Sequence, residues 1–197
     1  MIIKMKLTKD FWEEKYKNGD LKWDIGYIST PLKTYIDQLR DKEIKILVPG
    51  AGHGYEVAYL HKLGFKNVYV VDLAEQPLKR IETVCPDFPK DRLIQADFFE
   101  LSHTDFDLIL EQTFFCALRP ELRTAYVQKM TALLKPGGKI VGLFFDFPLT
   151  EAGPPFGGSK KEYETLFKPS FHIKVLERAY NSIQPRKDKE LFFIFET

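Results

Sequence analysis

The sequence contains little cysteine, no long apolar stretch and no excess of charge of either sign. Cys85 and Cys116 are its only cysteines, which excludes a disulfide framework and a zinc site built from cysteines. No stretch approaches the roughly 18 apolar residues of a transmembrane helix, and residues 1–10 lack the apolar run expected of a signal peptide. The formal net charge of +1 and the scattered basic residues predict neither a nucleic-acid partner nor a membrane surface. A cytoplasmic location is the default expectation.

Histidine is also scarce, whereas phenylalanine is abundant. The chain has only four histidines, which we predict at the surface rather than in catalytic roles: His53, His61, His103 and His172. We predict no metal site. The 17 Phe among 197 residues are more rings than the core of one small domain needs. We therefore predict that some of these rings line a pocket.

Strand-like and helix-like segments alternate along most of the chain. This alternation predicts a mostly parallel sheet with helices on both faces, a Rossmann-like α/β fold in a single domain. Two strand-like runs near the end, 172–180 and 190–196, predict an antiparallel C-terminal hairpin. The other strands are predicted at 44–49, 67–71, 93–96, 106–112 and 139–145, and the helices at 8–18, 32–39, 53–63, 76–84, 120–134 and 160–167.

A glycine-rich loop, residues 48–54, follows the first strand and precedes a helix. Gly50, Gly52 and Gly54 let the backbone turn sharply and approach a ligand closely. Asp72 ends the second strand about 20 residues later, the spacing at which an acid bonds ribose hydroxyls. These features predict a nucleoside-containing ligand, either a dinucleotide or S-adenosylmethionine. The alternative is a plain tight turn, with Asp72 as a strand-end cap.

Several single residues have a functional and a structural interpretation. Asp97 and Phe98 are suited either to an adenine ring or to a capped turn with Phe98 in the core. Glu111 is suited to bind an amino group or to cap the fourth strand, and Cys116 is predicted to be a small buried thiol. Arg123 is predicted to pair with acids on a solvated helix face, and Arg186 to lie over a pocket mouth and attract anions.

Four further stretches carry a more specific pattern. They are Trp12, Tyr16 and Trp23; Trp23-Asp24-Ile25-Gly26 followed by Pro31; Phe114-Phe115-Cys116-Ala117-Leu118 with Pro120 and Arg123; and Gly153-Pro154-Pro155-Phe156. With the glycine loop, Asp72, Asp97-Phe98 and the Lys-Pro-Gly-Gly segment at 135–138, the sequence resembles class I S-adenosylmethionine-dependent methyltransferases. It resembles more narrowly the thiopurine-methyltransferase-like superfamily, in its halide and thiol methyltransferase branch. The resemblance covers about residues 11–186.

The resemblance implies S-adenosylmethionine as cofactor and a set of residues around it. It places the acceptor near Phe114, Phe115, Phe147 and Phe156, and it makes residues 147–168 an acceptor-side insertion and residues 1–40 an N-terminal lid or helical segment. Two positions depart from the family: Gln112 replaces an arginine of thiopurine methyltransferases, and Phe147 replaces a tyrosine of halide-type members. The cofactor contacts implied are Trp12, Tyr16, Trp23, Gly50, Gly52, Gly54, Asp72, Asp97, Phe98 and Gln112.

The expected reaction is an in-line displacement in which the enzyme aligns nucleophile, methyl carbon and sulfur. Aromatic faces attract the sulfonium cation, although the three N-terminal rings could instead only pack their helix onto the sheet. A small thiol, hydrosulfide, thiocyanate or halide arrives as an anion, so the protein needs to desolvate it and needs no catalytic base. The alternatives are an O- or N-methyltransferase, a nicotinamide-dependent oxidoreductase and a non-catalytic nucleoside-binding protein. The oxidoreductase is disfavoured because no Tyr-x-x-x-Lys pair is present. The acceptor and the oligomeric state are left open, with a monomer as a plausible state.

Overall fold

The computed structural model describes residues 7–151 and 153–197; residues 1–6 of the predicted lid and residue 152 of the predicted insertion lie outside the described residues. The strands are β1 (Lys45–Pro49), β2 (Asn67–Asp72), β3 (Leu93–Gln95), β4 (Phe106–Gln112), β5 (Leu134–Phe145), β6 (His172–Arg178) and β7 (Glu190–Glu196). They form one sheet in the order β3-β2-β1-β4-β5-β7-β6. β1 to β5 are parallel, and β7 is antiparallel to both β5 and β6. The predicted fold class is confirmed.

Six α-helices in the described part of the chain connect and cover these strands. The hydroxyl of Thr8 caps the first helix by accepting the Phe11 amide at 3.4 Å, and Pro31 lies in the first turn of the second, as their sequences predict. The described helices are α1 (Lys9–Lys17), α2 (Thr30–Ile36), α3 (Tyr55–Lys62), α4 (Glu75–Val84), α5 (Arg123–Leu133) and α6 (Lys160–Phe167). No helix among the described residues is long and apolar enough to cross a membrane.

The sheet separates two apolar cores. One lies between the sheet and α2, α3 and α4, and is built largely from aliphatic residues. The other lies under α5 and α6 and holds many of the phenylalanines, with Phe144 stacked on Phe193 at 3.9 Å between ring centroids. Part of the high phenylalanine content therefore serves packing rather than a pocket.

The segment at 135–138 lies inside β5 and not between a helix and a strand, where the predicted bounds place it. α5 ends at Leu133, and β5 begins at Leu134, five residues earlier than predicted. Phe106 pairs with Leu134 but Leu108 pairs with Lys139, so the segment forms an irregularity inside the strand, with Gly137 at φ 75°. A positive φ accommodates the extra residues, and β5 extends through the bulge.

The strand order reverses at the centre of the sheet and so positions the site. β1 leads outward through β2 to β3 on one side, whereas β4 and β5 lie on its other side. In open α/β sheets the crevice beyond the carboxyl ends of the strands at such a point is where ligands bind. The glycine loop follows β1 at this crevice.

Candidate functional site

The glycine loop turns the chain from β1 into α3. Gly50 and Gly52 have φ values of 61° and 56°, which favour glycine. A Cβ atom at Gly50 would collide with the ring of Phe114, which lies against the loop. The Gly50 amide donates to the Val71 carbonyl at 2.8 Å and fixes the loop to β2. Gly50 and Gly52 line a cavity, whereas Gly54 is buried against α4 and lines none of those described.

Asp72 ends β2 beside this loop. Its carboxylate accepts the Ala74 amide at 2.9 Å and is also hydrogen-bonded by the amides of Ala51 and Gly52. Burial, with a smaller contribution from Glu13 of α1, raises the pKa of Asp72 to about 7 despite these amides. The carboxyl group lies on the cavity wall, where the ionised form would accept hydrogen bonds from a ribose diol.

The larger cavity has a volume of about 700 Å³ and lies at the carboxyl ends of the central strands. This volume is within the range of small-molecule sites in proteins. Most of the residues predicted from the sequence meet on its wall: Trp12, Tyr16, Trp23, Gly50, Gly52, Asp72, Asp97, Phe98, Phe114 and Arg186. The structure therefore brings together residues that lie up to 174 positions apart in the chain, from 12 to 186.

Three aromatic rings form one side of this cavity. Trp12 and Tyr16 project from one face of α1 and meet Trp23 edge to face, each with ring centroids 5.7 Å from those of Trp23. Burial raises the pKa of Tyr16, and Asp72 raises it further, so its hydroxyl stays protonated. Neutral π faces suit a cation, and these rings also attach α1 to the rest of the domain.

Asp97 and Phe98 combine the two interpretations given for them. Asp97 caps the short turn Phe98–Glu100, accepting the Phe99 amide at 2.9 Å, and Phe98 is buried and packs on Tyr126. Both residues nevertheless line the cavity. The capped turn thus presents an acid and a ring to the same space.

A second, smaller cavity of about 40 Å³ adjoins the larger one behind the glycine loop. The two share Trp23, Gly50, Gly52 and Thr113 as wall residues. Gln112 lines the smaller cavity, and its side-chain oxygen is buried without a hydrogen-bond partner among the described residues. A buried acceptor without a donor indicates that a ligand group or water supplies one.

Glu111 lines neither cavity. Its side chain is fully buried and accepts the amides of Phe114 and Phe115 at 3.0 and 2.9 Å and the Tyr126 hydroxyl at 3.2 Å. Burial raises the pKa of Glu111 to about 7. This position favours the strand-capping interpretation over contact with a ligand, since its hydrogen bonds hold the turn after β4 and Tyr126 of α5.

Three phenylalanines predicted at the acceptor also lie outside the cavity wall. Phe115 is buried in the core against Phe144, with ring centroids 4.8 Å apart. Phe147 bridges to Gly158, and Phe156 is buried, with its amide donating to the Cys116 carbonyl at 2.7 Å. Phe115 therefore belongs to the core, and Phe147 and Phe156 pack within the insertion, so none of the three forms the cavity wall.

Arg186 is buried inside the site rather than placed over its mouth. Its guanidinium donates to the Trp23 carbonyl at 2.7 Å and to the Glu190 carboxylate at 3.2 Å. It also lies 5.4 Å from the centre of the Phe145 ring, which lines the cavity beside it. This part of the cavity therefore contains a positive charge that is fixed in place beside an aromatic ring.

Two positions differ from what the sequence favours. Phe145 lines the cavity, whereas its place on a strand favours the core, and Arg123 was predicted on a solvated helix face. Arg123 is instead buried, pairs with Glu162 of α6 and donates to the Gly157 carbonyl at 2.6 Å, which ties down the insertion. A signal did exist, because an arginine in the first turn of a helix opposes the helix dipole and needs a partner.

His53 is partly buried and paired, not simply at the surface. Its Nδ1 lies 2.7 Å from Asp24, whose other oxygen accepts the Gly26 amide at 2.8 Å. Burial alone would raise the pKa of Asp24, but hydrogen bonds from Gly26, Tyr55 and His53 lower it. This pair ties the Trp-Asp-Ile-Gly stretch to the glycine loop.

Comparison with known proteins agrees with this geometry. The model of the family Thiopurine S-methyltransferase (TPMT) matches residues 7–196. The chain is 31% identical to Thiocyanate methyltransferase 1 of Brassica oleracea over 185 residues, 91% of this chain and 81% of that protein. It is 30% identical to Thiopurine S-methyltransferase of Vibrio vulnificus over 201 residues, 92% of this chain and 91% of that protein.

The fold is shared with a solved structure of Burkholderia thailandensis 1,6-didemethyltoxoflavin-N1-methyltransferase with bound S-adenosylhomocysteine. The TM-score is 0.74 at 19% identity, covering 96% of this chain and 86% of that one. The family model, the relatives and this shared fold together make the chain an S-adenosylmethionine-dependent methyltransferase with a class I fold. Within that class, the chain belongs to the thiopurine S-methyltransferase family.

Proposed function

We propose that the protein methylates a small anionic sulfur acceptor, such as hydrosulfide, a thiolate or thiocyanate, by in-line displacement. When bound, the cofactor supplies an electrophilic methyl group on its sulfonium. Asp72 would bind the ribose, Asp97 and Phe98 the adenine, and the rings of Trp12, Tyr16 and Trp23 would surround the sulfonium. The orphaned oxygen of Gln112 and the glycine cradle fit this cofactor.

The observation that carries the proposal is a cavity wall with an arginine but no histidine. The described wall residues include Phe114, Cys116, Phe145 and Arg186, no histidine is among them, and this proposal assigns the carboxylates of Asp72 and Asp97 to the cofactor. A phenol or amine acceptor more often needs a group that removes its proton. An acceptor that is already an anion needs only removal of its water and a counter-charge.

Arg186 supplies the counter-charge in this proposal. Glu190 neutralises part of the guanidinium charge, and Arg186 and Phe145 both line the cavity. Cys116 is no competing nucleophile, because burial raises the pKa of its thiol, whose proton is directed to the Thr113 carbonyl at 3.2 Å. The names of the two relatives, a thiocyanate and a thiopurine methyltransferase, support sulfur as the accepting atom.

A panel of acceptors tests the proposal. Formation of S-adenosylhomocysteine is measured with hydrosulfide, thiocyanate, an aromatic thiol, iodide, a phenol and an amine at equal concentrations. We expect the highest kcat/KM among the sulfur anions and little transfer to iodide, since Phe147 lacks the hydroxyl of halide-type members. Transfer to the phenol or the amine alone would contradict the assignment and support O- or N-methylation.

A further inference from the structure

Glu56 is a buried carboxylate that the proposed function leaves without a role. It lies in the first turn of α3, 6% exposed, and lines the smaller cavity behind the glycine loop. It accepts the Ser29 amide at 3.2 Å, and its own backbone amide is also hydrogen-bonded to it. Burial raises the pKa of Glu56. Two amides are weak compensation for a buried charge, since such charges are normally paired.

Two neighbouring side chains that could pair with Glu56 are occupied elsewhere. Arg186 attracts Glu56 electrostatically, but its hydrogen bonds go to Glu190 and the Trp23 carbonyl. His53, which lines the same cavity, is paired with Asp24. Among the described residues, no side-chain cation forms a hydrogen bond or ion pair with Glu56. The carboxylate therefore has unused capacity on the cavity side.

Gln112 presents a second unused acceptor to this cavity. Its side-chain oxygen is buried and has no partner among the described residues, as noted above. The cavity of about 40 Å³ has room for roughly one water-sized group. One negative and one neutral acceptor around such a space suit a small cation with several N–H donors.

The geometry points to the α-ammonium group of the cofactor's methionine portion as this cation, with Glu56 as its counter-ion and Gln112 as an additional acceptor. The smaller cavity opens beside Gly50, Gly52 and Thr113, which also line the larger one. Asp72 lies only on the larger cavity, so the ribose and the ammonium would occupy opposite sides of the glycine loop. The inference rests on the cofactor assignment and is independent of the acceptor.

The test compares two ligands in equilibrium binding without any acceptor. S-adenosylhomocysteine carries the ammonium, whereas 5′-methylthioadenosine lacks the whole amino-acid portion. Glu56→Gln keeps an oxygen for the Ser29 amide but removes the charge. We expect Glu56→Gln to raise the Kd of S-adenosylhomocysteine about ten- to a hundredfold, the range of a hydrogen bond to a charged group. The Kd of 5′-methylthioadenosine should change less than about threefold. Gln112→Leu should show the same selectivity with a smaller loss.

A third ligand separates the ammonium from the rest of the amino acid. Deaminated S-adenosylhomocysteine keeps the carboxylate, and it should bind wild type more weakly than the parent and be insensitive to Glu56→Gln. Equal weakening of all three ligands would show that Glu56 only holds the loop at Ser29 and would overturn the inference. Unchanged affinity for S-adenosylhomocysteine would overturn it as well. The wild-type comparison of parent and deaminated ligand remains decisive even if a variant fails to fold.

Discussion

Asp72 gives the sharpest prediction because its protonation should set the pH dependence of cofactor binding. Burial raises its pKa to about 7 in the free protein. A ribose diol donates hydrogen bonds and so favours the ionised carboxylate, which lowers the pKa in the complex. Binding must then release a proton below pH 7, and affinity must rise with pH.

The magnitude follows from the ionised fraction. With a pKa of about 7, roughly one tenth of Asp72 is ionised at pH 6 and roughly nine tenths at pH 8. If only the ionised form accepts the diol, the Kd of S-adenosylhomocysteine falls about tenfold between these pH values. Glu13 and Tyr16 are the neighbours that interact with Asp72, and Tyr16 stays protonated throughout this range.

Isothermal titration calorimetry at pH 6, 7 and 8 in buffers of different ionisation enthalpy measures both the Kd and the protons released. Asp72→Asn retains the size of the side chain but cannot ionise, so its Kd should be at least tenfold weaker at pH 8 and nearly constant with pH. Glu111 has a similar pKa but does not line the cavity. Because Asp72→Asn leaves Glu111 unchanged, any effect of Glu111 on the pH dependence would remain in this variant. A wild-type Kd that is flat from pH 6 to 8, or an equal slope in Asp72→Asn, would refute the reasoning.

The remaining predictions concern the acceptor, the sulfonium and the strand end. Arg186→Met should raise the KM for hydrosulfide at least about tenfold in steady-state kinetics while the Kd of S-adenosylhomocysteine changes less than about threefold; equal losses would contradict the counter-charge role. Trp12→Leu should weaken the binding of S-adenosylmethionine more than that of S-adenosylhomocysteine, because only the first carries the sulfonium cation. The two losses of affinity, measured by calorimetry, should differ by roughly 2- to 30-fold. In the wild type, the free energy of unfolding should fall as the pH rises from about 5 to 7. Glu111→Gln should make this fall smaller, as measured by urea denaturation. The reason is that its raised pKa makes the folded state hold the extra proton there; an unchanged slope would count against it.

The fold was predictable because its signals are local. Strand and helix segments alternate, and Asp72 falls at the carboxyl end of β2 beside the glycine loop. The bulge at Gly137 was not predictable, because a glycine after a proline is equally suited to a helix stop and to a strand irregularity. The choice depends on how β5 pairs with Phe106 and Leu108 across the sheet.

The cavity wall was less predictable because adjacent residues face opposite ways. Phe114 lines the cavity and Phe115 the core, and this division is fixed by Glu111 accepting both amides. Phe144 is in the core and Phe145 on the cavity, but β5 is apolar on both faces, so the sequence shows no alternation to distinguish them. In a strand that is buried on both faces, tertiary packing and not the local sequence decides whether a ring points to the core or to the cavity.

In the proposed function, water exclusion and cofactor binding depend on the same helix, α1. α1 has no buried residue of its own and is attached by the rings of Trp12 and Tyr16 and by Glu13, which accepts the Glu75 amide at 2.6 Å. A sulfonium held among those rings would strengthen this attachment and close the cavity around the acceptor. An acceptor that is already an anion needs no base and becomes reactive when its hydration water is removed. Because Trp12 helps to close the cavity and also lies against the cofactor, a change at Trp12 should reduce both the cofactor affinity and the rate of methyl transfer.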